Sequence, residues 1–177
     1  FITYQWTASP GGNIVSGANT PSIILNEPGN YTLLVTNTQN GCTSTGATLI
    51  SENVTPPTAV VAPTGQINCV TPTIQLNAAG SSTGANFTYQ WTTTNGTIAS
   101  GPNTLQPTVT TAGTYNFVVT NGANGCTSSA SATVTANLTP PTVAIAQPGI
   151  ITCNQLQIPL DGAGTSTGNE FKYQWGT

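Results

Sequence analysis

PTVTTAGTYNFVVTNGANGCTSSASATVTAN, residues 107–137, reads as two β-strands joined by a turn. GTYNFVVTN, from Gly113 to Asn121, sets Tyr115, Phe117 and Val119 on one face, the period-two pattern of a strand with one side buried. The glycines and asparagines of NGANG then break the chain, and SASATVTA resumes the alternation with Ala132 and Val134 inward. No segment shows the 3.6-residue period of an amphipathic helix, so the class is all-β.

The same wording recurs on both sides of this stretch. GNYTLLVTN (Gly29 to Asn37) precedes NGCTS at Asn40 as GTYNFVVTN precedes NGCTS at Asn124, and YQW occurs at Tyr4, Tyr89 and Tyr173, at separations of 85 and 84 residues. SGANT at Ser16 returns as SGPNT at Ser100, NVTPPT at Asn53 as NLTPPT at Asn137, and STGANFTYQW at Ser82 as STGNEFKYQW at Ser166. The chain is a tandem array with a period of about 84 residues.

Pro56-Pro57 and Pro140-Pro141 fall once per period, and paired prolines cannot lie within a hydrogen-bonded central strand. They mark the joints. The expected organisation is the later part of one repeat at 1–55, a complete repeat at 58–139 and the start of a third at 142–177. On this reading the sequence starts and stops inside repeats and is a window on a longer array.

Within the complete repeat, strands are expected at Ala59 to Ala62, Thr73 to Ala78, Phe87 to Thr92, Thr97 to Ala99, Thr108 to Thr110, Gly113 to Asn121 and Ser129 to Ala136. Ile74, Leu76, Phe87, Tyr89, Trp91, Tyr115, Phe117, Val119, Ala132 and Val134 are expected to face one core. A tryptophan on the third strand and a tyrosine opening the sixth fit an immunoglobulin-like β-sandwich. Trp6, Trp91, Trp175, Tyr31 and Tyr115 are the expected core aromatics. The antibody-type disulfide is absent, its places falling near Leu76 and Phe117.

Charge is nearly absent. Of 177 residues, 3% are charged: Lys172 is the one base, Glu27, Glu52, Asp161 and Glu170 are the acids, and there is no histidine. Nucleic-acid binding needs clustered Lys and Arg and is excluded. With 37% apolar residues and no run near the roughly 20 residues of a spanning helix, membrane insertion is not expected. The acids do not recur, since Glu27 aligns with Thr111, Glu52 with Ala136 and Asp161 with Asn77, and residues 58–138 contain none. Without a histidine base, a paired carboxylate or a cofactor loop, neither enzyme chemistry nor a metal or cofactor is expected. The Asn-X-Thr triplets at Asn30, Asn53, Asn86, Asn95 and Asn137 would accept N-glycans in a eukaryote, and arise readily by chance in so Asn- and Thr-rich a chain.

Cys42, Cys69, Cys126 and Cys153 recur in register, and without histidine a disulfide reading is preferred to a metal one, which points to an oxidising compartment. Cys69 precedes the second strand of the sandwich and Cys126 follows the sixth, at opposite ends of the repeat, whereas a disulfide needs Cα atoms within about 7 Å. Three arrangements stay open: a bond from a residue like Cys69 to one like Cys126 in the following repeat, a Cys69 to Cys126 bond in a distorted sandwich, and free thiols. Under the first, the partners of all four lie outside the sequence.

YQWTTTNGTIASGPNT (residues 89–104) and the G-T-Y-x-x-x-V-T-N-x-x-N-G-C-T-S run from Gly113 resemble the repeats of giant surface adhesins of Bacteroidota, the SprB-like gliding-motility adhesins. More distantly they resemble polycystic-kidney-disease-type domains, although TTTNG after Trp91 replaces the acidic W-D-F-G-D-G motif of those domains. The adhesin resemblance implies export by a type 9 secretion system, a cell-surface location and dealings with outer-membrane secretion or motility machinery. It also implies a shaft role, with the surface or glycan target met by other regions and the neighbouring repeats as immediate partners. The competing reading, a carbohydrate- or partner-binding repeat, requires an exposed aromatic patch every 84 residues.

Overall fold

A computed structural model of the chain describes residues 1–176. The strands are β1 (Ile2–Ala8), β2 (Ile14–Ser16), β3 (Ile24–Leu25), β4 (Gly29–Asn37), β5 (Thr43–Ile50), β6 (Gln66–Asn68), β7 (Ile74–Gln75), β8 (Phe87–Thr93), β9 (Ile98–Ser100), β10 (Thr108–Val109), β11 (Gly113–Asn121) and β12 (Thr127–Asn137). No helix occurs among the described residues. By compactness the chain divides into a unit of 1–59, 81–88 and 118–128 and a unit of 60–80, 89–117 and 129–177.

In the first unit, β4 is the centre of an antiparallel sheet ordered β1-β4-β5. Tyr31 stands opposite Ala8 on one side and Thr48 on the other. It is fully buried, and its hydroxyl donates to the Glu27 carbonyl at 2.7 Å and accepts from the Asn13 N–H at 3.0 Å. The phenol thereby ties the entry to β4 onto the loop before β2, which satisfies the one polar atom of an otherwise apolar side chain. Trp6 is half-buried on β1, its indole N–H donating to the Thr20 carbonyl at 3.1 Å. The loop that supplies Thr20 turns at Gly17, whose φ is +83° and where an added Cβ would lie 2.5 Å from the Ser22 oxygen.

The second unit contributes a three-stranded sheet ordered β7-β10-β9, and the four-stranded sheet of the chain is ordered β6-β12-β11-β8. Leu76, Trp91, Val109, Tyr115, Phe117 and Val134 are all at most 3% exposed. Side chains of this size contribute about 1.5–3 kcal/mol each when fully buried. The Phe117 ring lies 4.7 Å from the Trp91 ring and 6.0 Å from that of Tyr89. Trp91 donates from its indole N–H to Thr104 O at 2.9 Å, and the Tyr115 hydroxyl donates to Thr111 O at 2.7 Å while accepting from Thr97 N–H at 3.1 Å. These bonds match those of Trp6 and Tyr31 atom for atom, so the sequence repeat is a structural repeat. The architecture is an immunoglobulin-like β-sandwich.

Two strand assignments shift. Residues 59–62 form no strand, although Ala62 N–H still donates to Asn77 O at 2.8 Å; Pro63 has no N–H with which to continue a ladder. The edge is taken instead by β6, which pairs in parallel with the end of β12: Gln66 with Thr135, Ile67 with Ala136 and Asn68 with Asn137. Regular pairing over residues 73–78 is confined to β7, although Leu76 N–H to Pro107 O and Ala78 N–H to Leu105 O, both 2.9 Å, prolong its contact. Pro107 accepts and cannot donate in return, which interrupts the ladder.

Residues 142–176 keep the local bonds of 58–92 with little regular strand. Thr142 N–H donates to Ser166 Oγ at 2.9 Å as Thr58 N–H donates to Ser82 Oγ at 2.8 Å, and a bridge joins Thr152 to Gln155.

Candidate functional site at the repeat joint

The recurring turn between β11 and β12 is built by its asparagines. Asn121 N–H donates to Cys126 O at 2.9 Å and Gly125 N–H to Asn121 O at 2.7 Å. The side-chain oxygens of Asn121 and Asn124 accept from Ala123 N–H at 3.0 Å and Cys126 N–H at 2.9 Å. Gly125 has φ +74°, a left-handed conformation that a side chain would strain. The turn between β4 and β5 reproduces all of this: Asn37 N–H to Cys42 O at 2.9 Å, Gly41 N–H to Asn37 O at 2.8 Å, Cys42 N–H to Asn40 Oδ1 at 3.0 Å, and φ +72° at Gly41.

With its oxygen fixed by Cys126, the amide nitrogen of Asn124 is aimed outward, and it reaches the joint. It donates to the Asn53 side-chain oxygen at 3.1 Å and to the Thr55 carbonyl at 2.9 Å. Thr55 immediately precedes the proline pair, of which Pro57 is buried. The two residues after Thr55 lack N–H groups, so no backbone ladder runs through the joint, and the Asn124 side chain supplies a hydrogen bond there. The sequence reading did not single out Asn124; its signal was the asparagine that recurs two residues before Cys42 and Cys126.

None of the four cysteines is bonded to another among the described residues; Cys126 is half-buried and Cys42, Cys69 and Cys153 are exposed. Cys69 directly follows β6, whose last residue stands beside Asn137, whereas Cys126 directly precedes β12. Eleven residues of β12 lie between these two levels, about 36 Å of strand at roughly 3.3 Å per residue. The Cα atoms of a disulfide lie within about 7 Å of each other.

Tyr31, Tyr115 and Trp91 are buried, Trp6 is half-buried, and Trp175 is 58% exposed. Trp175 differs from Trp91 because Phe117 of β11 covers Trp91, and no strand equivalent to β11 lies among residues 142–176. Val143, Ile145, Leu160, Phe171 and Trp175 accordingly line a groove of about 510 Å³. Leu160 is 55% exposed where its counterpart Leu76 is 1% exposed. The groove is the inner face of a sandwich, not a cleft with convergent polar groups.

Of the acids, Asp161 accepts from Ala163 N–H at 2.9 Å as Asn77 accepts from Ala79 N–H at 3.0 Å, so the carboxylate performs a turn function that an amide performs equally well. Among the described residues, no group of three His, Cys, Asp or Glu is placed to hold a metal ion. No helix of the described chain is long and apolar enough to cross a membrane.

A family model for a PKD-like domain matches residues 1–52. No curated protein matches the chain. Among solved structures, a chimeric titin Z1Z2–Z1Z2 tandem functionalised with a GRGDS peptide from fibronectin is similar at 16% identity, over 77% of this chain and 84% of that one, with a TM-score of 0.31.

Proposed function

We propose that the chain is part of the non-catalytic shaft of a long extracellular adhesin, held at the cell surface and serving attachment. The observation that carries this reading is the grip of Asn124 on Asn53 and Thr55. Each repeat holds the linker that enters it, through a turn that recurs with each period. Two adjacent prolines already restrict the backbone there, and a side-chain clasp removes more of the remaining freedom. Stiff units joined by restrained linkers suit a spacer, since a solenoid or array transmits position along its length.

A charge-poor surface rich in Thr, Asn and Ser offers no steering field for a charged ligand. Burial of Trp91, together with its stack on Phe117, argues against a glycan platform at that residue. The gliding and type 9 secretion readings rest on the sequence resemblance, with outer-membrane machinery as the partner it brings.

Small-angle scattering on the array with several whole repeats tests the shaft. A maximum dimension that grows linearly with repeat number is expected; growth closer to the square root would mean freely jointed beads and would overturn it.

A further inference from the structure

We propose that each joint is closed by a disulfide between the residue placed like Cys69 in one repeat and the residue placed like Cys126 in the repeat that follows. This rests on the array reading above. Two separate observations meet at the same point. The turn that carries Cys126 grips Asn53 and Thr55, the linker that enters its repeat. In the next linker those two positions are Asn137 and Thr139. Asn137 is the β-partner of Asn68, the last residue of β6, so Cys69 directly follows the residue that stands beside Asn137, one of the two positions that the next turn would hold.

A turn that grips Asn137 and Thr139 as Asn124 grips Asn53 and Thr55 brings its own cysteine, two residues on, to within side-chain reach of Cys69. Cys69 is exposed and Cys126 half-buried, so an oxidant can reach both kinds of thiol. Within one repeat, the length of β12 stands between the two cysteines.

The chemistry is two thiol–disulfide exchanges. The first thiolate attacks the disulfide of an extracytoplasmic oxidoreductase, giving a mixed disulfide and a leaving thiolate on the oxidant. The second cysteine attacks the protein sulfur of that mixed disulfide. One S–S bond forms across the joint, two protons leave the protein thiols, and the two electrons remain on the oxidant as a dithiol.

The test is non-reducing peptide mapping of the full-length array, purified without reductant and blocked with N-ethylmaleimide. A linked pair is expected between the GQINCVTP peptide around Cys69 and the NGC peptide of the next repeat. Cys69→Ser should expose the following NGC cysteine to N-ethylmaleimide while every other linkage survives. N-ethylmaleimide on both thiols, or Cys69 linked to its own Cys126, overturns the proposal. Scattering on the same sample separates the two ideas: blocked thiols on a particle that remains a rod sink the disulfide and leave the shaft standing.

Discussion

Asn124 and Thr55, 69 positions apart in sequence, are joined by a 2.9 Å hydrogen bond from the Asn124 side-chain amide to the Thr55 carbonyl. The other end of the same amide accepts from the Cys126 N–H, so a single side chain both shapes its turn and holds the linker. Asn124→Asp separates the two duties, because a carboxylate still accepts from Cys126 but donates nothing to Asn53 or Thr55. The expected outcome is greater mobility of residues 53–55, read as lower backbone order parameters by NMR relaxation, with unchanged amide protection in β11. Removing a bond of this kind costs about 1 kcal/mol, a several-fold change in local opening.

Phe117 is fully buried and its ring lies against Trp91 and Tyr89. Phe117→Ala should cost about 3–5 kcal/mol, the transfer loss plus a cavity between the rings. Chemical denaturation followed by tryptophan fluorescence checks this, and a cost below about 1 kcal/mol would show that the ring is not central to the core.

Tyr115→Phe removes a buried hydroxyl while keeping the ring. Thr97 N–H loses its acceptor and Thr111 O its donor, and the expected destabilisation is about 1–3 kcal/mol. Tyr31→Phe should give a loss of the same order in the first unit, since its hydroxyl makes the matching bonds to Asn13 and Glu27. Equilibrium unfolding of the two variants side by side is the measurement.

Gly96 and Gly125 predict different penalties for different reasons. A Cβ at Gly96 would fall 2.5 Å from the Tyr115 hydroxyl, into a side chain locked by its own hydrogen bonds, whereas a Cβ at Gly125 meets nothing within 4 Å and suffers only from the positive φ. Gly125→Ala is expected to cost about 1–2 kcal/mol, the left-handed penalty alone. Gly96→Ala should cost at least that much by overpacking and should also disturb the Thr97–Tyr115 bond, visible as lost protection of the Thr97 amide.

Strands with a strong alternation were legible in the sequence. The bounds read for β11 are those observed, and the inward faces of β11 and β12 follow from Tyr115, Phe117, Val119, Ala132 and Val134, all buried. What escaped was set by distant partners. QIN at Gln66–Asn68 has no local signature of a strand, and it becomes one because the end of β12 offers an open edge. AVVA at 59–62 has the composition of a strand and is denied the ladder by the proline after it. The joint was marked in sequence by its prolines and its recurring cysteines. The asparagine that holds it was hidden because the residue at the other end of its bond lies beyond any local pattern.

The parallel seam between β6 and β12 has a mechanical consequence. A pull on the chain beyond Asn137 is carried along β12, while the opposing pull enters ahead of β6, so the two strands are drawn past each other lengthwise. Their hydrogen bonds, slanted between parallel strands and running across the load, are loaded together instead of peeling singly. The seam makes the repeat a shear clamp: under tension from its ends, the core stays closed until that short run of backbone bonds gives way at once.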